Sequence, residues 1–369
     1  MDEPSVDVLR ESFSGRSVLL TGHTGFKGSW LAIWLQLLGA HVTGYALDPP
    51  TQPGNYQLAE VGQMIDADIR GDIRDRKKFA DVVRAADPDV VLHLAAQTVV
   101  LDSYADPLES FDVNVVGTAS VLDGVRTLGK PCAVVVVTSD KCYANDESGR
   151  RFTEDDPLGG HDPYSASKAG QELVVSSYRD SFLAPERLAH HGVALSSARA
   201  GNVIGGGDWT PHGVIADIVR TLGAGEAVGL RRPDAIRPWQ HVLEPLSGYL
   251  TLAARLLSAN PEPYCGAWNF GPRPEDEATV AELTDAMIEA WGGGRWVDNS
   301  RPDDLPEAGV LRLSTEHTAD ALDWRPRWGL SDAVRHTVGW YRRLADDPTS
   351  ARAACISDIE AYMTAGAAR

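Results

Sequence analysis

Cysteine is scarce in this chain of 369 residues: Cys132, Cys142, Cys265 and Cys355 stand singly and far apart. Such spacing makes neither a zinc-ligand pattern nor a disulfide framework, so no metal is expected and the thiols are expected to be reduced and mostly buried. Positive charge is also short, with 34 Lys and Arg against 52 Asp and Glu and a formal net charge of −18. Nonspecific nucleic-acid binding needs a basic face that releases counterions, and this balance argues against it. A small anionic ligand stays open, provided helix N-termini and a few placed arginines offset the overall field. No apolar run approaches the ~18 residues of a membrane span. Met1-Asp2-Glu3-Pro4 lacks the basic and apolar segments of a leader peptide, so no membrane partner and a cytoplasmic location are expected. Internal repeats and low-complexity segments are missing as well. What remains is a chain with 43% hydrophobic residues, enough for a sizeable core and two lobes.

The most informative stretch runs from 133 to 168. Ala133-Val134-Val135-Val136-Val137 reads as a strand buried on both faces, and it ends in Thr138-Ser139-Asp140-Lys141. Polar chemistry at the carboxyl end of a core strand is where open α/β sheets bind their ligands. The stretch closes on Tyr164-Ser165-Ala166-Ser167-Lys168, at the start of a helix that continues through Tyr178. Four residues apart, Tyr164 and Lys168 share a helix face. An ammonium beside a phenol favours the phenolate and makes a base out of a group with reference pKa about 10.

Upstream, Ser17-Val18-Leu19-Leu20-Thr21 is a short strand, followed by Gly22-His23-Thr24-Gly25-Phe26-Lys27-Gly28 and a helix carrying Trp30 to Leu37. Strand, glycine-rich turn and helix fit a pyrophosphate cradle, because small residues admit the phosphates and the helix N-terminus offers free N–H groups. Gly22, Thr24, Gly25, Phe26 and Gly28 are therefore candidate cofactor contacts, although the glycine spacing is three and three rather than two and three. The next strand, 41–47, ends in Asp48, twenty residues after Gly28. A carboxylate there accepts hydrogen bonds from a ribose and repels a 2′-phosphate, which favours NAD over NADP; the alternative is a turn residue before Pro49-Pro50. Asp72-Ile73 follows at a plausible adenine edge. The buried strand around 90–94 ends in Leu94-Ala95-Ala96, small enough for a flat cofactor to lie against backbone, while His93 inside it reads as a satisfied core histidine. A long helix is expected over about 107–128, with Asn114 either capping backbone or orienting a catalytic group.

After a sixth strand at 193–200, a glycine-rich loop at 201–209 changes the character of the chain. Helices are expected at about 214–222, 243–257, 280–291 and 330–343, with a short strand at 267–271. The fold class is α/β: a Rossmann-type doubly wound parallel sheet with a smaller, partly interleaved α/β substrate-binding lobe. Expected boundaries are an N-terminal tail over 1–15, a cofactor-binding domain over 16–200, the lobe mainly over 201–345 and a C-terminal tail over 346–369. Residues 144–161 read as a polar loop able to cover a cleft.

With the glycine turn, the Ser139-Asp140 strand end and Tyr164-xxx-Lys168 in this order, residues 15–345 resemble the extended short-chain dehydrogenase/reductase family. Within it, Gly22 to Trp30, Ser139 to Tyr143 and Gly201 to Trp209 look most like the branch that dehydrates CDP-glucose. The resemblance implies that Tyr164 is a base beside Lys168, that Ser139 steadies the sugar hydroxyl, and that Asp140 and Lys141 eliminate water. The related dTDP-sugar enzymes carry glutamate in place of Lys141. It also implies NAD as cofactor, a nucleotide-diphosphate sugar as substrate with CDP-glucose foremost, Asn202 and Arg237 as substrate contacts, and a homodimer paired through the 107–128 and 164–183 helices; Arg301 is either a second substrate arginine or a surface residue. In the implied reaction, oxidation at C4 acidifies C5–H, an acid protonates the departing C6 hydroxyl, and hydride returns to C6. Two other readings remain: a nucleotide-sugar 4-epimerase, which needs no acid/base pair at C5 and C6, and a non-catalytic dinucleotide-sensing protein. Trp209 and Trp239 either stack on a base or fill core.

Overall fold

The structure, a computed structural model, describes residues 6–301 and 309–365. Seven parallel strands make the central sheet: β1 (Ser17–Thr21), β2 (His41–Ala46), β3 (Ala67–Arg70), β4 (Val90–His93), β5 (Cys132–Val137), β6 (Val193–Ala200) and β7 (Ala267–Phe270). Their order across the sheet is β7-β6-β5-β4-β1-β2-β3. The winding reverses between β1 and β4, and the carboxyl ends of those two strands flank the crevice that such a reversal opens. Alternate residues of the strands enter two separate cores. Val18, Leu20, Val90, Leu92 and Val135 face one, while Leu19, Val91, Val134 and Val136 face the other. A parallel sheet covered on both sides needs that apolar content on each face.

The helix Phe26–Leu37 is buried without interruption from Gly28 to Leu35, because it lies between the sheet and the second half of the chain. Its Trp30 indole donates to the Gly206 carbonyl at 2.9 Å, and a side chain at Gly206 would overlap the ring of Trp340. The glycine-rich loop is thereby clamped between the cofactor half and the helix Leu330–Asp346. The other expected helices appear as Val214–Gly223, Leu243–Leu256 and Val280–Trp291. The short strand expected in this half is β7, which joins the main sheet beside β6 with Asn269 opposite Arg199.

Two expectations need correction. The stretch taken as an N-terminal tail contains the helix Val6–Phe13, whose Leu9 and Phe13, four apart, are buried in the first core. The stretch taken as a C-terminal tail contains the helix Ala351–Thr364, whose Cys355, Ile359 and Tyr362 enter the same core. In both, an apolar stripe at helical spacing finds a neighbour to cover. The long helical region expected over 107–128 runs without a break from Pro107 to Val125, its middle Asp112–Gly117 widened into a π-helical segment. Residues 144–161 are more ordered than a loose cover: Phe152 pairs with Leu313, stacks on Tyr143 at 5.0 Å and belongs to a small core of its own. Among the described residues no helix is long and apolar enough to cross a membrane.

Candidate active site

Asp162 caps the helix Pro163–Ser181 by accepting from the Ser165 amide at 2.9 Å and its hydroxyl at 2.6 Å. The cap fixes Tyr164 in the first turn and Lys168 one turn on, both buried. At the end of β5 the chain tightens into the 3-10 turn Asp140–Cys142, where the Ser139 hydroxyl accepts from the Lys141 amide at 3.2 Å and donates to Asp140 Oδ1 at 3.0 Å. Turn and helix meet at Tyr164. The Lys141 Nζ lies 5.9 Å and the Lys168 Nζ 6.0 Å from the centre of its ring, and the Ser139 side chain hydrogen-bonds its hydroxyl. Behind them, the buried Glu172 accepts from Arg199 at 2.7 Å, Ser197 at 2.8 Å and Thr138 at 2.5 Å. It fastens β5, β6 and the tyrosine helix to one another.

Burial dominates the protonation of these groups. It pushes the Tyr164 phenol above its ordinary value, with the Ser139 bond acting the other way. Lys168 is brought down to about 7, chiefly by desolvation and then by the like charge of Lys27, while its amine donates to Gln171 Oε1 at 2.9 Å. Burial works against the charged form of both Tyr164 and Lys168, which is the opposition that a neighbouring positive charge has to offset. Asp140 is raised by burial, opposed by the positive charges of Lys141, Arg237 and Lys27 and by the Ser139 bond. Its Oδ2 is buried without a hydrogen-bond partner among the described residues.

The glycine turn is closely packed against neighbouring backbone. Gly22 sits at φ +75°, and a side chain there would meet the Ala95 amide at 2.7 Å; one at Gly28 would overlap the Gly22 carbonyl. Bare backbone thus faces the first turn of the helix Phe26–Leu37, where unpaired N–H groups await phosphate oxygens. Thr24 is tied back to the Leu47 carbonyl at 3.0 Å, and Leu94 and Ala95 donate their amides to Thr21 Oγ1 at 3.1 and 3.2 Å. Ala96 follows these at the end of β4, partly buried. Asp48 is exposed at the end of β2 with the Arg70 Nε 3.2 Å away. Asp72 is committed to Arg74, at 2.6 Å from its Nη2, and Ile73 is buried in the second core beside Gly117. Asn114 uses the π-helical segment to reach inward: it accepts from the Gln97 amide at 2.9 Å and donates to the Gln97 carbonyl at 3.0 Å and to Ser167 Oγ at 2.8 Å. His93 is a core histidine as read, bonded to Thr21 at 2.7 Å and Thr118 at 3.1 Å and lowered by burial to about 3.

A cavity of about 510 Å³ extends from Lys141 along the second half of the chain. Asn202 and Arg237 line it, and Arg237 is held by the carbonyls of Ile236 at 2.9 Å and Gly309 at 3.2 Å. Arg301 is exposed and is not among the described residues that line the cavity; Arg231 and Arg232 are. Trp239 donates to the Ala278 carbonyl at 3.0 Å and is buried in the first core while also lining the cavity, and the partly buried Trp209 packs edge-on to Tyr341. The sequence reading passed over Lys27 and Tyr249. Lys27 is brought down to about 8 by burial, with Asp140 opposing, and its Nζ lies 6.0 Å from the Tyr249 ring. The Tyr249 hydroxyl is buried with no partner among the described residues. A lysine inside Phe26-Lys27-Gly28, in a turn meant for phosphates, was the available signal; nothing in an apolar helix singled out Tyr249.

The GDP-mannose 4,6 dehydratase family profile matches residues 19–259. A CDP-glucose 4,6-dehydratase from Salmonella typhimurium is 45% identical over 331 residues, covering 89% of this chain and 91% of that protein. Among solved structures, a dTDP-glucose 4,6-dehydratase from Streptomyces venezuelae with NAD bound is 27% identical, with a TM-score of 0.71 over 90% of this chain and 99% of that one. A UDP-glucose 4-epimerase from Thermus thermophilus in complex with NAD is also 27% identical, with a TM-score of 0.71 over 88% and 98%.

Proposed function

From the premise that this chain belongs to the GDP-mannose 4,6 dehydratase family of extended short-chain dehydrogenases/reductases, we propose that it converts CDP-glucose to CDP-4-keto-6-deoxyglucose and water. It is an NAD-dependent nucleotide-sugar 4,6-dehydratase, a hydro-lyase; CDP-glucose as the sugar nucleotide, the residue roles and a cytoplasmic homodimer are our reading. The observation that carries it is the turn Asp140–Cys142: a buried carboxyl held above its ordinary pKa and a lysine next to it, both beside Tyr164.

Tyr164 takes the proton of the C4 hydroxyl, with Ser139 holding that oxygen and Lys141 and Lys168 flanking the ring so that positive charge favours the phenolate. Bound NAD supplies the hydride acceptor at C4 and the hydride donor at C6. The ketone acidifies C5–H, and Lys141 is the residue placed to remove that proton. Asp140, whose pKa burial raises, is the acid that gives a proton to the leaving C6 hydroxyl. Gly22, Thr24, Gly25, Phe26 and Gly28 would hold the pyrophosphate and Asp48 the adenosine ribose. Arg237 and Asn202 would hold the substrate diphosphate, the guanidinium fork suiting its oxygens. A 4-epimerase would leave Asp140 and Lys141 without work. Incubation with CDP-glucose is expected to give the alkaline absorbance of a 4-keto-6-deoxy sugar. Formation of the C4 epimer without that absorbance would replace this reading with the epimerase, and no turnover at all would remove both.

A further inference from the structure

The cavity that begins at Lys141 has walls of contrasting chemistry. Lys141, Arg231, Arg232 and Arg237 give it positive charge suited to a diphosphate. Another wall is made by the helix Val214–Gly223, which packs against the strand Val228–Leu230. Val214, Val228 and Leu230 supply an apolar surface there, and Asp217 is the one carboxylate among the described residues lining the cavity. A carboxylate facing a dianionic ligand opposes its binding, so it is useful only where the ligand presents hydrogen-bond donors. Asp217 is half-exposed and fixed from its own helix by Arg220, at 3.4 Å.

We propose that Asp217 is the residue that selects the base of the sugar nucleotide, accepting a hydrogen bond from the exocyclic amine of cytosine. This rests on the reading of the substrate as a CDP-sugar and deepens it. Cytosine carries an amine donor at C4, where uracil and thymine carry a carbonyl. A carboxylate therefore meets a donor in one case and a second acceptor in the other, the pairing by which Asp and Glu read cytosine elsewhere. The apolar wall suits the faces of a flat pyrimidine while the edge meets Asp217. Guanine also offers donors to a carboxylate, so its nucleotide belongs in the comparison.

The test is calorimetric binding of CDP, UDP, dTDP and GDP to the full-length, NAD-loaded protein and to its Asp217→Asn and Asp217→Ala variants. Because the side chain is half-exposed, the variants are expected to keep the melting temperature of the parent. The parent should bind CDP at least about tenfold more tightly than UDP or dTDP. In Asp217→Asn that preference should collapse through weaker CDP and stronger UDP binding, since an amide can donate to the carbonyl; Asp217→Ala should lose CDP affinity alone. A parent that prefers CDP, with variants that keep the full preference, overturns the role of Asp217 and leaves the CDP-sugar reading standing. A parent that prefers UDP, dTDP or GDP overturns both.

Discussion

Tyr164 carries the chemistry at the scale of a single residue, and its setting is less accommodating than a tyrosine and a lysine one turn apart imply. Burial raises the phenol and lowers Lys168 to about 7, so any positive charge that favours the phenolate works against desolvation. Tyr164→Phe removes only an oxygen from a buried ring. It should cut turnover by about 10²- to 10⁴-fold while leaving NAD bound, as measured by rate and by nucleotide released on denaturation; retained turnover would strip Tyr164 of its role. Lys141→Met separates the half-reactions. The variant should still oxidise C4, seen as reduced nicotinamide absorbance after substrate addition, yet lose the 4-keto-6-deoxy product by a similar factor. Dehydration at the parental rate would require a different base at C5.

At the scale of elements, the helices that hold the site are themselves held by buried polar contacts. Glu244, on the helix Leu243–Leu256, accepts from the Arg327 amide at 3.1 Å, the Trp328 amide at 2.6 Å and the Tyr362 hydroxyl at 2.7 Å, and so pins the helix Ala351–Thr364 to the body. Burial raises its pKa to about 7, against about 4.3 in an unfolded chain. Between those values the unfolded chain has given up its proton and the folded one retains it. This group's contribution to stability is therefore most favourable below about pH 4.3, falls as pH rises to about 7, and is level above that, with a span of about 4 kcal/mol at most. Glu244→Gln removes the titration. Its melting temperature should fall less than the parent's between pH 5 and pH 7.5 in calorimetry. An equal fall in both proteins would mean that Glu244 is ionised throughout.

Across the whole molecule, exposed apolar side chains gather on two neighbouring segments. Leu108 is 74% exposed and Val116 51%, and across from them on the tyrosine helix Leu173 is 60% exposed. A chain of net charge −18 repels its copies, so these apolar faces are the surface through which a second copy would have to pair. Light scattering at moderate salt should give the mass of two chains, and Leu108→Glu with Leu173→Glu should give one. A parent of single-chain mass would reject the homodimer.

Much of this was legible in the residues themselves. A run such as Ala133 to Val137 can only be a strand covered on both faces, glycines at 22 and 28 announce backbone that must approach something closely, and Tyr164 with Lys168 needs only the helical repeat to share a face. These are local properties, decided within a few residues. The tertiary structure alone decided what depends on distant chain. It covered Leu9 and Phe13 and the stripe ending at Tyr362 and so made helices of presumed tails, and it widened the helix over 107–125 into a π segment from which Asn114 reaches Gln97 and Ser167. It also enclosed Lys27, Asp140 and Lys168 together, which sets their protonation. Burial and charge are sums over neighbours, and neighbours far along the chain have no signature in local sequence.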